Sequence, residues 1–245
     1  MEAREIYLFA QIEKKHFFYR GRRELVRSWL KKFFPAPGRK PLVIDAGAGT
    51  GILIEELSPE YDALGSDLYF DPAVSICQDK IVRSNAYSLP FPGSISDATV
   101  ALDLLEHLEN DFAGLMEFNR ITRPGGYIFI NVPAFAFLFS DWDQAVGHQR
   151  RYTKKMIKAL AEKSGLEIIF MNYVNSVPFF PILFYRGLRS KFGIGKKSRL
   201  EDKLPPGWLN RFLLRAFILQ GKYRGLNLPF GVSLFAILKK PAGNL

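Results

Sequence analysis

The densest chemical signal in the chain is Asp45-Ala46-Gly47-Ala48-Gly49-Thr50-Gly51. Glycines at alternate positions leave the main chain bare, so its N–H groups can approach a ligand that side chains would hold off. The apolar run Pro41-Leu42-Val43-Ile44 precedes the loop, and Ile52 to Leu57 fits a helix halted before Pro59. Strand, glycine loop and helix in this order make the ligand-facing turn of an open α/β sheet. A dinucleotide fingerprint needs a third glycine or alanine where Ile52 stands, so the nicotinamide reading weakens. A Walker loop is excluded, because no Gly-Lys-Ser/Thr follows.

Other chemistry-bearing residues close the neighbouring apolar runs. Asp67 ends Tyr61 to Asp67, Asn85 and Ala86 follow Lys80 to Ser84, and Asp103 follows Asp97 to Leu102. The chain has three histidines: His16, His107 and His148. His148 shares a polar loop with Arg150, Arg151 and Tyr152, a grouping able to hold an anionic group and remove a proton beside it. His107 follows the fourth strand, and it too is a candidate base. His16, Tyr19 and Arg23 are spaced by three and four, which puts them on one helical face. Each has a plainer alternative: a helix cap or solvated loop for the carboxylates, a turn cap for Asn85, a backbone-bonded loop for His148, core packing for His107, a surface helix for His16. No metal-ligand set is assigned.

The elements that must position these groups follow from periodicity. Six strands are expected at 41–46, 61–67, 80–84, 97–102, 127–132 and 166–173, with a last one at Gly231 to Leu238. Asn110 or Asp111 can cap a helix to about Thr122, ended by Arg123-Pro124-Gly125-Gly126, and Thr153 can cap another ended by Gly165. Strands alternating with helices predict an α/β fold: a three-layer, Rossmann-like, seven-stranded, mostly parallel sheet with helices on both faces. An N-terminal helical lid segment (1–40) precedes the core (41–174). A helical insertion or cap (175–229) precedes the last strand and tail (230–245). Phe18 to Phe34 and Trp208 to Tyr223 read as basic amphipathic helices, which either pack on the core or cap the site. Residues 168–185 carry no charge, yet Asn172, Asn175, Ser176, Pro178 and Pro181 argue against a membrane span.

A length of 245 residues with 48% hydrophobic content supports one substantial core and excludes a disordered chain. Cys77 is the sole cysteine, so neither an intrachain disulfide nor a cysteine-rich zinc site can form. With no signal segment visible, an intracellular, cytoplasmic address is expected. The net charge of +10 is uneven: residues 1–40 carry +7, residues 41–170 carry −8 and residues 171–245 carry +11. An acidic middle suits a cationic ligand, and basic flanks suit an anionic partner, an anionic membrane surface included.

Taken together, VIDAGAGTG, Asp67, the Leu105-Glu106-His107 stretch and Arg123 to Gly126 resemble the class I methyltransferases that use S-adenosylmethionine, over about residues 40–174. HFFYRGRREL and GHQRRYT are similar to a small-molecule, ubiquinone-biosynthesis-like subset. The resemblance implies that Asp45, Gly47, Ala48, Gly49, Gly51, Asp67, Leu68, Asn85, Ala86 and Asp103 hold the cofactor, with Asp67 on the ribose hydroxyls. Where many relatives place an acid on the adenine amino group this chain has Asn85, whose side-chain oxygen can still accept. The implied activity is O- or C-directed methylation of a small molecule or lipid-like intermediate, with His16, Tyr19, Arg23, Arg150, Arg151 and Tyr152 near the acceptor. A non-catalytic membrane-surface scaffold is the alternative, followed by an RNA methyltransferase and a nicotinamide-dependent dehydrogenase. Nucleic acid is disfavoured, because Asp103-Leu104-Leu105-Glu106 replaces the Asn/Asp-Pro-Pro-aromatic motif of base-amine methylation. Oligomeric state is left open.

Overall fold

The protein is described here by a computed structural model over residues 12–35, 38–73, 75–192, 204–223 and 225–242. The start of the expected lid, residues 193–203 of the expected insertion and residues 243–245 of the tail lie outside the described residues. Seven strands form one sheet: β1 (Leu42–Ala46), β2 (Asp62–Asp67), β3 (Ile81–Arg83), β4 (Ser96–Leu102), β5 (Thr122–Pro133), β6 (Glu167–Val174) and β7 (Ser233–Lys239). Their order is β3-β2-β1-β4-β5-β7-β6. β7 runs antiparallel between β5 and β6, and the other pairings are parallel. The expected Rossmann-like, mostly parallel sheet is therefore the observed one.

The helices are α1 (Phe17–Phe33), α2 (Ile52–Leu57), α3 (Asp111–Ile121), α4 (Asp141–Ala145), α5 (Lys154–Lys163), α6 (Phe179–Phe192) and α7 (Gly207–Lys222). Strands alternate their side chains between faces, so each face acquires its own core. Val43, Val100, Phe129 and Phe235 pack under α1, α2 and α7. Ile44, Ala101, Ile128 and Leu234 pack under α3 and α5. Local chemistry sets the helix ends: Asn110 accepts from Ala113 N at 3.0 Å, and Thr153 caps α5 by accepting from Met156 N at 3.4 Å.

Both basic amphipathic helices are structural layers of the sheet. Leu25, Val26, Trp29 and Leu30 of α1 are buried. Trp29 packs on Phe170 with ring centroids 5.0 Å apart, and Phe33 stacks on Tyr127 at 3.9 Å. α7 lies along α1, where Trp29 Nε1 donates to Gly221 O at 2.8 Å. Only glycine fits at that crossing, since a Cβ on Gly221 would sit 2.2 Å from Leu25 Cδ1.

One local expectation changes. β5 begins at Thr122 and not at Tyr127, because Gly125 N donates to Lys240 O at 2.9 Å and Lys240 N to Gly126 O at 3.0 Å, extending the strand through the Arg-Pro-Gly-Gly turn. The proline-bearing stretch after β6 forms α6, with Pro178 and Pro181 at its start, where a missing N–H breaks no helical bond. Among the described residues no helix is long and apolar enough to cross a membrane.

Candidate active site

The C-terminal edge of the parallel strands collects nearly every residue singled out by the sequence. Backbone strain collects there as well. Among the described residues, four besides glycine have positive φ, and three of them stand at this edge: Asp103 after β4, Phe135 after β5 and Asn175 after β6. Such conformations cost of order 1–3 kcal/mol each and persist where surrounding contacts impose them. Here Asp103 N donates to Asn131 O at 2.8 Å and Phe135 N to Tyr152 O at 2.9 Å.

The glycine loop turns sharply at this edge. Gly47, Gly49 and Gly51 all have positive φ, and Gly47 N and Ala48 N donate to Ser66 O at 2.8 and 3.0 Å. A Cβ on Gly51 would press against Ile81 Cδ1 at 2.8 Å, whereas one on Gly49 would meet nothing within 4 Å. The space over Gly49 is open to a ligand. Asp67 faces the loop: Oδ2 accepts from Gly49 N at 2.9 Å and Oδ1 from Tyr69 N at 2.8 Å. One bond to each oxygen leaves lone pairs for two ribose-like hydroxyls. Leu68 is exposed beside it. Asn85 Oδ1 accepts from Tyr87 N at 3.0 Å, so this side chain caps its own turn, while Ala86 packs against the core beneath α3.

Beneath the loop is a cluster of charges. Asp45 is buried, and burial pushes its carboxyl up to about 8, against the pull of Arg22. Arg22 binds Asp103 directly and lies 3.7 Å from Glu13. Glu13 in turn accepts from Thr50 Oγ1 at 2.7 Å, tying the N-terminal segment to the glycine loop. Asn131 Nδ2 donates to Asp103 Oδ1 at 2.6 Å. Glu13, Arg22 and Asn131 were missed by the sequence reading, although Arg22 lies three residues from Tyr19 and its guanidinium sits 5.0 Å over that ring. Arg23, expected at the acceptor, is buried and pairs with Glu56 at 3.2 Å. His16 is buried too and accepts from Phe18 N as the cap of α1, with Tyr19 5.6 Å away between ring centroids. These two side chains work inside the fold because the face they share is the one α1 buries.

Next to Asp103, Leu105–His107 makes a single turn on which the loop of His148 is docked, Gln149 N donating to Glu106 O at 2.7 Å. The rings of His107 and His148 meet edge to face, 4.7 Å between centroids. His148 Nδ1 is 2.8 Å from Asp143 Oδ1. Burial opposes ionisation of Asp143, but the hydrogen bond to His148 and the charge of Arg151 outweigh it and hold the carboxyl at about 2. Burial pushes His107 below the ordinary histidine range, with His148 adding to the effect.

Arg151 and Tyr152, expected to meet an acceptor, are instead spent on the scaffold. Arg151 grips Asp143 through Nε at 2.8 Å and Nη2 at 3.0 Å. Tyr152 is fully buried, donating to Leu105 O at 3.2 Å with Asp111 Oδ2 at 3.0 Å. Arg150 bonds Glu109 O at 2.7 Å and pairs with Asp111 at 3.2 Å. A polar loop in the sequence thus becomes a clamp that fixes the two histidines.

On the far side of His148 the edge is aromatic. Phe135 stacks on Tyr173 at 4.6 Å and on Phe137 at 5.1 Å, and Phe179 meets Phe230 at 5.1 Å. Phe137 and Phe180 remain about 60% exposed, which leaves an apolar surface after β5, linked to His148 through Asp143 and Arg151, whose Nη1 donates to Ala134 O at 3.2 Å. Arg186 of α6 binds Leu138 O and lies 3.6 Å from Asp143. A separate depression of about 330 Å³ on the outer side of α1, lined by Ser28, Trp29, Lys31, Lys32 and Lys222, holds none of these groups.

Residues 18–169 match a family described as a methyltransferase domain. The chain belongs to that family. Membership bears out a class I, S-adenosylmethionine-dependent enzyme, the expectation raised by the glycine loop. Over 116 residues the chain is 32% identical to a demethylmenaquinone methyltransferase of Corynebacterium urealyticum, covering 44% of this chain and 50% of that protein. Over 97 residues it is 30% identical to a tRNA (carboxymethyluridine(34)-5-O)-methyltransferase of Arabidopsis thaliana, covering 37% of this chain and 24% of that one. The chain thus spans about half or less of the length of these curated relatives. A SAM-dependent methyltransferase of Archaeoglobus fulgidus shares the fold with a TM-score of 0.55 at 19% identity, over 89% of this chain and 94% of that one.

Proposed function

We propose that this methyltransferase acts on a small, largely apolar acceptor, at oxygen or at an acidic carbon. S-adenosylmethionine lies over Gly49 with its ribose on Asp67 and its cationic end toward Asp45 and Asp103. Leu68, Asn85 and Ala86 border the adenine. The sulfonium supplies the activated methyl group, so the chain's own residues have to align the nucleophile, exclude water and take up a proton. His107 and His148 are the groups placed for that proton, between the charge cluster and the aromatic wall. The single observation that carries the acceptor class is this wall of Phe135, Phe137, Phe179 and Phe180. The likeness to demethylmenaquinone methyltransferases supports the same class. The basic flanks favour delivery from an anionic membrane surface, with peripheral association.

Calorimetric titration with S-adenosylmethionine and with NAD, followed by transfer of labelled methyl to prenylated phenols or to bulk tRNA, tests this reading. Binding of S-adenosylmethionine with transfer to the phenols is expected. Transfer to tRNA alone moves the enzyme to the RNA class, and binding with no transfer to either favours the scaffold alternative.

A further inference from the structure

We propose that Glu106, His107 and His148 form a binding site for a divalent transition-metal cation, of the zinc or cobalt kind. Glu106 is fully buried, and neither of its carboxylate oxygens has a hydrogen-bond partner in the protein. A buried carboxylate without a donor is costly, and natural proteins rarely leave both oxygens orphaned. Two imidazoles stand against it. One ligand atom each from Glu106, His107 and His148 lie within 4.8 Å of one another, and His148 Nε2 is 3.9 Å from Glu106 Oε1. A tetrahedral ion bound at 2.0–2.2 Å separates its ligand atoms by about 3.3–3.5 Å. The Glu106–His148 pair is therefore about half an ångström wider than that spacing, and no pair of the three exceeds it by more than about 1.5 Å.

The surroundings have the form that ligating histidines require. A metal-bound imidazole commonly gives its other nitrogen to a carboxylate or a carbonyl. His148 gives Nδ1 to Asp143 at 2.8 Å, and Asp143 is itself locked by Arg151 and by Ser140 N at 2.8 Å. The His107 ring hydrogen-bonds the main chain of Gly147. Two nitrogens and one carboxylate suit a borderline ion and not calcium or magnesium, which take oxygen. Three protein ligands leave a position for an acceptor oxygen; with the ion bound, His107 and His148 are ligands and not bases, and the acceptor's proton, made more acidic by the ion, passes to water. That last step rests on the proposed methyl transfer, but binding of the ion does not.

The test is titration of chelator-treated, full-length protein with Co²⁺, followed by its visible d–d absorption and by calorimetry. One ion per chain and a spectrum of a nitrogen- and oxygen-ligated site are expected. Glu106→Gln is expected to weaken binding at least about 100-fold and Asp143→Asn about 10–100-fold. Glu106→Gln keeps the side-chain volume and takes away no hydrogen bond within the protein, so its thermal melt should stay at or above the parent's, and His148→Gln provides a second probe. Failure of the parent to take up Co²⁺ at sub-millimolar concentration overturns the proposal, as does unchanged uptake by both Glu106→Gln and His148→Gln. S-adenosylmethionine titrated into the same chelated sample separates the two readings: cofactor binding without cobalt uptake removes the metal site and leaves the methyltransferase intact.

Discussion

Replacing Arg22 by alanine tests whether the charge cluster holds α1 against the cofactor edge. Arg22 bridges Asp103 and Glu13, and its charge opposes the burial of Asp45 more than that of Arg23 does. Removing one partner of a fully buried ion pair costs about 3–5 kcal/mol, because the other charge is left behind. The two side chains keep 11% and 21% of their surface in solvent, which reduces the figure to about 2–4 kcal/mol. In a chain of 150–250 residues each kcal/mol moves Tm by about 2–4 °C, so the expected fall is about 4–16 °C. Thermal unfolding of Arg22→Ala, Asp103→Asn and the double variant, followed by calorimetry, reads this directly. Neutralising Asp103 removes the charge that Arg22→Ala strands, so the double variant should recover about 1–3 kcal/mol over the sum of the singles. A fall under about 1 °C for Arg22→Ala, or strict additivity, would refute the bridge as a stabilising contact.

Affinity for S-adenosylmethionine should rise with pH up to about 8 and level off above, because a bound cation favours ionised Asp45 and so expels its proton. The slope is at most about tenfold per pH unit, and a pH profile unchanged in Asp45→Asn would show that another group titrates. Gly49→Ala should leave Tm within a few degrees, since only the positive φ of that position opposes it, at about 1–2 kcal/mol. The same variant should lose most cofactor affinity; calorimetric binding equal to the parent would place the cofactor elsewhere. Gly221→Ala drives a methyl into Leu25 and should cost about 1–3 kcal/mol of stability without changing cofactor affinity, measured by melting and titration together.

Much of the fold was legible because parallel sheets bury both faces and leave long apolar runs separated by glycine and capping residues. VIDAGAGTG marks β1, its turn and the start of α2 in nine positions, of which three have positive φ. The antiparallel insertion of β7 between β5 and β6 was not legible, since a strand's own pattern carries no direction. The candidate acceptor residues show a second limit, for a related reason. His16, Arg23, Arg151 and Tyr152 look available in sequence because they are polar, yet tertiary contacts bury all four. Polarity marks a need for a partner, and the sequence does not say whether the partner is a ligand or Glu56, Asp143 and Asp111. Asn131 was hidden in an apolar strand, where its amide is visible only once Asp103 is seen facing it.

The placement of β7 bears on chemistry as well as topology. On the β1–β2 side the strand ends meet a glycine loop, so that half of the edge presents bare main chain and carboxylates to a polar, charged ligand. On the other side Pro133 pairs with Ser233, and Ser233 with Val174, which brings Phe135, Tyr173 and Phe230 to one level. That half presents rings. Asp103, Glu106, His107 and His148 occupy the boundary, where β4 passes from the first environment to the second. A methyl group transferred from a charged donor to an apolar acceptor has to cross the same boundary. On the proposed function, His107 and His148 stand where donor and acceptor would meet, and the buried clamp of Asp143, Arg151 and Tyr152 holds His148 there.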